Sequence, residues 1–98
     1  MTIEKKQSGN ELVVALEGRL DTMTAPELEA ELNRSMEGAD SLTLDFSRLE
    51  YISSAGLRVL LSAHKTMNPK GGMKVTHVNE IVREVFDVTG FSDILTIE

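Results

Sequence analysis

Two adjacent serines, Ser53 and Ser54, occupy the position in this sequence that best suits chemistry. An alternating strand pattern starting at Leu42 precedes them, and an apolar helical pattern follows directly. A hydroxyl at the start of a helix can cap free backbone N–H groups, and a phosphate attached there is favoured by those groups and by the helix dipole. Ser54 is therefore either a plain N-cap or a cap that is also phosphorylated.

The two histidines are poorly placed to turn a serine into a nucleophile. His64 falls in the predicted helix on the same face as Leu57, and His77 alternates with Val75 in a predicted strand, so both are interpreted as packing residues. No spacing of His, Asp or Glu resembles a metal site, and no glycine-rich phosphate loop is present. We expect no enzyme, no metal and no cofactor; a hydrolase or transferase using Ser54 is the weakest alternative.

The composition is that of one small globular domain, predicted to span residues 1–98. The net charge is −6 and the ten Lys and Arg residues are scattered, which argues against nucleic acid as a partner. No apolar run approaches the roughly 20 residues that span a bilayer, and the N-terminus lacks the apolar core of a signal peptide. We expect a cytoplasmic monomer without membrane insertion.

Hydrophobic alternation predicts four to five strands. The opening pair forms a hairpin turning at Gly9 and Asn10, and later strands alternate with helices, which indicates parallel pairing and a mixed sheet. In the central strand the apolar residues at 42, 44 and 46 alternate with polar ones, so we expect helices mainly on one face. The predicted strands are Thr2–Lys6, Glu11–Gly18, Ser41–Ser47, Met73–Val78 and Ile94–Ile97.

Helical periodicity predicts three helices. The first begins at Thr24 with a capping box to Glu27, carries an inner stripe of Leu28, Leu32 and Met36, and stops near Gly38. The second covers Ser54–Met67. The third is capped by Asn79, continues to Asp87 and is terminated by Gly90.

Gly56 lies in the first turn of the second helix, where it costs roughly 1 kcal/mol of helix propensity relative to alanine. Such a cost indicates that backbone or a partner approaches this position closely.

The run from Asp45 to Arg58 resembles the signature of the STAS domain, the bacterial anti-sigma-factor antagonist family. Nearly the whole chain takes part in the likeness, which implies an α/β fold with a STAS-like mixed sheet of four to five strands. Further resemblances are Leu16–Asp21 with Thr24 and Ala25 to the second strand and its loop, and Asn79, Val82, Phe86, Gly90 and Phe91 to the C-terminal region.

The resemblance implies a switch controlled by phosphorylation. The unmodified chain would bind an anti-sigma factor that is also a serine kinase, and so release a sigma factor. Phosphorylation of Ser54, two residues before Gly56, would end this binding, and a metal-dependent protein serine phosphatase would restore it. ATP, metal and catalytic base would then belong to the partners, so no cofactor is implied for this chain.

Three departures from the family pattern affect the site, and one of them is Arg58, which stands where several relatives have glycine. Ser53 stands where many antagonists have aspartate, which makes it the rival phosphorylation site, and Ala55 stands where many have a second hydroxyl. The implied partner-binding residues are Asp21, Thr22, Ser53, Ser54, Ala55, Gly56 and Arg58.

Three questions stay open from the sequence. Asp21 either docks the partner or caps its own loop, and Arg58 either pairs with a phosphate or solvates the helix. Asp21 and Asp45 are both expected at strand ends near the serines. The alternative function is a STAS scaffold subunit of a transport or signalling complex that is never phosphorylated.

Overall fold

A five-stranded sheet forms the centre of the protein, and the computed structural model describes every residue from Met1 to Glu98. The strands lie side by side in chain order; the first two are antiparallel and all other neighbours are parallel. This confirms the predicted mixed sheet. The strands are β1 (Thr2–Ser8), β2 (Glu11–Leu20), β3 (Ser41–Ile52), β4 (Met73–Thr76) and β5 (Thr96–Ile97).

Three helices connect the parallel strands: α1 (Ala25–Ser35), α2 (Ser54–Met67) and α3 (Glu80–Thr89). Short 3₁₀ turns follow α1 at Met36–Gly38 and α3 at Phe91–Asp93. None of these helices has the length and apolar character needed to cross a bilayer.

A single cluster of 24 buried apolar residues joins the helices to one face of the sheet. It includes Leu42, Leu44 and Phe46 of β3, whereas the intervening Thr43 and Asp45 stay partly exposed on the other face. The alternation thus places the helices mainly on one face, as predicted. The α1 stripe of Leu28, Leu32 and Met36 is buried as expected.

Three strands are longer than predicted, and the first of them, β1, runs to Ser8 instead of Lys6. The expected ends at Gly18 and Ser47 are wrong, because β2 continues to Leu20 and β3 to Ile52. The β2–β3 pairing shifts register between Ala15 and Glu17 and again after Gly18. Such irregularities reset which side chains face inward, so Leu49 is buried although it breaks the period of two set by the apolar residues at 42, 44 and 46, and Ile52 is buried three residues later.

The ends of the smaller elements also differ from the predictions. The last two strands are shorter than expected, since β4 stops at Thr76 and β5 begins at Thr96, while α3 runs on to Thr89. His77, interpreted as a packing residue, instead follows β4 with φ 58° and an exposed side chain whose Nδ1 lies 3.3 Å from Asp45 Oδ1. The packing interpretation of His77 is wrong because the strand ends one residue before it.

Thr24 precedes α1 as predicted, but the capping box does not form. Its backbone has φ −101° and ψ −19°, and its hydroxyl makes no cap bond to the helix. The hydroxyl oxygen accepts from the Asp21 N–H at 2.9 Å, and the same hydroxyl donates to the Arg19 carbonyl at 2.8 Å. Thr24 therefore closes the preceding loop, because both of its nearest partners lie N-terminal to it.

Asn79 caps α3 as predicted and ties the helix to the sheet. Its Oδ1 accepts from the Val82 N–H at 2.8 Å, and its Nδ2 donates to the Leu49 carbonyl at 2.8 Å. Gly90 ends the helix in the left-handed conformation, with φ 82°, as the sequence indicated.

Replacing Asn79 with alanine is predicted to lower the free energy of unfolding by about 1–2 kcal/mol, because both the cap and the Leu49 bond are lost. Urea denaturation measures the loss. Asn33→Ala is the matched control, since Asn33 is exposed within α1 and alanine favours a helix. Equal losses at the two positions would contradict the capping role.

Candidate functional site

The start of α2 is fixed to the ends of β2 and β3. Ser53 follows Ile52 directly, and its N–H donates to the Leu20 carbonyl at 2.9 Å. Its own carbonyl accepts the first helical bond, from the Leu57 N–H at 3.0 Å. Ser53, with φ −102° and ψ 177°, is therefore the N-cap residue of α2.

The interpretation of Ser54 as the N-cap is wrong by one residue. Ser54 is the first residue inside the helix, because the extended backbone that marks an N-cap belongs to Ser53. Neither serine caps through its side chain, since no side-chain cap bond is present at this helix.

The two hydroxyls differ sharply in access. Ser53 Oγ is buried and has no hydrogen-bond partner, whereas Ser54 is exposed. A kinase must reach the hydroxyl oxygen that accepts the phosphoryl group. Of the pair, Ser54 is the residue that this geometry presents to another protein.

The first turn of α2 is also suited to negative charge. The N–H groups of the first helical residues, Ser54, Ala55 and Gly56, precede the point at which helical bonding begins, and no side chain caps them. Such groups, together with the helix dipole, favour an anion at this end. No set of His, Asp or Glu side chains is grouped as a metal site.

Gly56 is buried and serves the packing of the chain itself. A Cβ placed there would lie 2.7 Å from Leu20 Cγ and 2.8 Å from Ile52 Cγ1. The close approach expected from the sequence therefore comes from the ends of β2 and β3. Packing within the chain is therefore sufficient to explain glycine at this position.

Asp21 caps the loop between β2 and α1. Its Oδ1 accepts from the N–H groups of Met23 at 3.0 Å and Thr24 at 3.2 Å. Desolvation alone raises the pKa of this carboxyl, but the bonds from Thr24 and Met23, helped by the Arg19 guanidinium, hold the pKa below its usual value. The loop-cap interpretation of Asp21 is thus confirmed.

The capped loop presents Thr22 and Met23 to solvent. Met23 is 87% exposed, the highest exposure among the large apolar side chains that face solvent. The sequence reasoning missed this residue, because a lone methionine in a loop belongs to no periodic pattern. The available signal was its place beside Asp21 and Thr22, the residues implied by the family resemblance.

A groove of about 320 Å³ separates the starts of α1 and α2. It brings three predicted site residues together, Thr22, Ala55 and Arg58, and adds Glu29, which the sequence reasoning missed. Glu29 carries no motif, and only the packing of α1 beside α2 brings it here. The groove is lined by Thr22, Ala25, Pro26, Glu29, Ala55, Arg58 and Val59.

Arg58 is exposed on α2, one helical turn after Ser54. The other four arginines each lie within 4 Å of a carboxylate oxygen, whereas Arg58 has no such partner. Residues four apart on a helix are neighbours on its surface. The Arg58 guanidinium is therefore free to meet a negative group at Ser54.

Asp45 lies away from this site. It pairs with Thr76 in the middle of β3, seven residues before Ile52, which is roughly 20 Å at about 3.3 Å per residue. The expectation that Asp45 lies near the serines is wrong, because β3 continues past it. Hydrogen bonding from the Ser47 N–H, opposed by desolvation and aided by His77, holds the pKa of Asp45 below its usual value.

Comparison with known proteins adds an independent line of observation. The family model described as "Mlab, STAS domain" matches residues 3–96. A Bordetella bronchiseptica protein named as an anti-sigma factor antagonist, BtrV, is 39% identical over 88 residues, which cover 88% of this chain and 76% of the relative. The anti-sigma-B factor antagonist of Bacillus subtilis is 30% identical over 98 residues, which cover 99% of this chain and 90% of the relative.

The fold is similar to that of a solved antagonist, SpoIIAA. Its unphosphorylated form matches with a TM-score of 0.77 at 16% identity, over 99% of this chain and 87% of that one. Its phosphorylated form, from Bacillus, matches with a TM-score of 0.76 at 17% identity, over 99% of this chain and 91% of that one. At these identities the similarity establishes the fold.

Gly56→Ala is predicted to destabilise the protein by about 1–3 kcal/mol, although alanine favours a helix, because the new methyl group overlaps Leu20 and Ile52. Urea denaturation measures the change. Gly38→Ala is the matched control, since its Cβ would meet nothing closer than Gln7 Nε2 at 3.8 Å. If Gly56→Ala were as stable as the control, the close packing at Gly56 would not contribute to the free energy of unfolding.

Proposed function

The chain belongs to the STAS domain family, and we propose that it acts as an anti-sigma factor antagonist controlled by phosphorylation of Ser54. Its unmodified form binds an anti-sigma factor that is also a serine kinase, which frees a sigma factor. The phosphorylated form no longer binds. A protein serine phosphatase removes the phosphate and restores binding.

The observation that carries this proposal is the difference between the two hydroxyls. Ser54 is exposed at the first helical position, whereas Ser53 Oγ is buried without a partner. Ser54 is thus favoured over its rival as the phosphoacceptor. Two relatives named as antagonists and the existence of a phosphorylated SpoIIAA structure support the wider proposal of an antagonist controlled by phosphorylation.

The switch acts through the interface and not through the fold. A phosphate adds about −1.5 to −2 charges and three strong acceptors. The negative charge is stabilised at the start of α2 by the free N–H groups and by the helix dipole. In a complex the same dianion adds bulk and a desolvation cost where the partner meets a small neutral hydroxyl.

The partner-binding surface proposed here consists of the exposed residues around Ser54. Thr22 and Met23 supply the loop tip, and Ala55 and Arg58 supply the wall of the groove on α2. Asp21 contributes by holding the loop in shape. The kinase supplies ATP, magnesium and the catalytic base, so this chain acts as a substrate and ligand and not as an enzyme.

We assign Arg58 the role of pairing with the phosphate. It is exposed one turn after Ser54, and it is the arginine that lacks a carboxylate partner. A negative group four residues before a positive one is the favourable order on a helix, worth about 0.2–0.5 kcal/mol. Pairing on this scale orients the phosphate without locking it.

A second function is compatible with the matching family model, whose description, "Mlab, STAS domain", names a domain and no activity. In this alternative the chain is a scaffold subunit of a transport or signalling complex and is never phosphorylated. Its partner would stay bound whether or not ATP is present.

Incubation with the cognate anti-sigma factor kinase and ATP is predicted to add one phosphate, which mass spectrometry locates on Ser54. Ser53→Ala is expected to accept phosphate as before and Ser54→Ala to accept none. Ser54→Asp is expected to weaken kinase binding at least about 30-fold, because an unpaired charge enters the interface. The free energy of unfolding should change by no more than about 1 kcal/mol, because the new charge lies at an exposed helix start.

Two outcomes would contradict the proposal. Phosphate on Ser54→Ala would move the assignment to Ser53 despite its burial. A partner that binds wild type and Ser54→Asp equally well, with or without ATP, would favour the scaffold function.

Arg58→Gln is predicted to raise the second pKa of the Ser54 phosphate by roughly 0.2–0.4 of a pH unit. The guanidinium favours the dianion, so removing it makes the last proton harder to lose. Phosphorus NMR over a pH series measures this pKa directly. Arg83→Gln is the control because Arg83 lies on α3 and pairs with Asp87. If Arg83→Gln raised the phosphate pKa as much as Arg58→Gln does, the pairing of Arg58 with the phosphate would be contradicted.

A further inference from the structure

Helix α3 carries two apolar stripes, and only one of them faces the core. Val82 and Phe86 are fully buried. Ile81, Val85 and Val88 form a second stripe at helical spacing, which we call the α3 outer stripe. Ile81 is 59% exposed and Val88 is 81% exposed. The helix is thus more apolar than its own packing requires.

The exposed apolar surface of this protein is concentrated in this region. Four large apolar side chains are exposed, and three of them, Ile81, Val88 and Ile94, lie on α3 or shortly after it. Single exposed apolar residues are ordinary, whereas a set along one helix with a shallow groove beside it marks an interaction surface. The groove measures about 310 Å³ and is lined by Ile81, Glu84, Val85, Val88 and Thr89.

The charges around the α3 outer stripe are mainly negative. Asp87 pairs with Arg83 at 3.6 Å and also accepts from the Ser92 hydroxyl. Glu80 and Glu84 lie within 4 Å of no cationic group, and Glu84 lines the groove itself. The arginine of this helix is already engaged, so the carboxylates of the two glutamates are left without a partner.

The Glu84 carboxylate restricts what can cover the groove. A purely apolar occupant would remove water from this carboxylate without offering it a partner, which is costly. In a symmetric pair of copies of this chain the patch faces a second copy of itself, so two surfaces of net negative charge, each with Glu80, Glu84 and Asp87 against one arginine, would be brought together. The occupant that fits both requirements is apolar along its centre and cationic beside it.

We propose that the α3 outer stripe docks a partner protein that presents an apolar helix face flanked by Lys or Arg. A helix lying in an apolar groove is a common mode of protein recognition, and the cation beside it would pair with Glu84. This surface lies on a different helix from Ser54.

The test titrates the ¹⁵N-labelled full chain with a synthetic helical peptide that has leucine along one face and lysine beside it. We expect amide shifts concentrated in residues 80–95. Val88→Ser should weaken binding of the peptide at least 5-fold. It should leave folding intact, because Val88 is 81% exposed. Glu84→Lys should favour a second peptide, with glutamate in place of lysine, by at least 10-fold.

Glu4→Lys is the matched control, because it makes the same change of charge at an exposed position on β1. It should leave the preference between the two peptides as it is in wild type. Three results overturn the proposal: no binding at millimolar peptide, amide shifts that map outside α3, or a preference that responds to Glu4→Lys as strongly as to Glu84→Lys. Self-association seen by sedimentation and abolished by Val88→Ser would make a second copy the occupant and also overturn it.

Discussion

The first turn of α2 rests so closely on the ends of β2 and β3 that no Cβ fits at Gly56, where it would lie 2.7 Å from Leu20. This contact determines how the two serines that precede Gly56 are oriented. Ser53 is drawn toward the sheet, with its N–H bonded to the Leu20 carbonyl and its hydroxyl buried. Ser54, one position later, is turned outward into solvent.

The same strand ends organise the other half of the site. β2 continues to Leu20, and the loop that follows is closed by Asp21 and Thr24 through four short hydrogen bonds. The loop is therefore held in shape by the side chains of Asp21 and Thr24, with no bond from the side chain of Thr22 or Met23. A site built in this way keeps its shape while leaving Thr22, Met23 and Ser54 free for a partner.

Much of the fold could be predicted from the sequence, because it depends on local patterns. The alternation of Leu42, Leu44 and Phe46 predicted the buried face of β3, and Asn79 and Gly90 predicted both ends of α3. The predictions failed where tertiary contacts override periodicity. The register shifts beside Ala15 and Gly18 lengthened both central strands, and this lengthening moved Asp45 away from the serines.

The site was predictable in its motif but not in its geometry. Spacing and family resemblance indicated Ser54, Thr22 and Arg58, but no pattern distinguishes a buried hydroxyl from an exposed one in two adjacent serines. That difference arises from the packing beneath Gly56, which joins residues more than thirty positions apart, Leu20 and Gly56. Glu29 was missed for the same reason, since only the packing of α1 beside α2 brings it to the groove.

The magnitudes involved explain why a phosphate at this position would act on the binding of partners and not on the fold. An exposed charge at the start of a helix alters stability by about 0.3–1 kcal/mol, and an exposed ion pair such as one with Arg58 by a similar amount. A small domain is stable by about 5–15 kcal/mol, so neither effect unfolds it. Burying the same charge unpaired in a complex costs about 2–5 kcal/mol or more, which is a large share of a typical binding energy. The same charge thus costs little at a solvated helix end and much in a desolvated interface, and this difference in free energy is sufficient for a switch. The switch requires only that the acceptor hydroxyl be exposed in the free protein and covered in the complex.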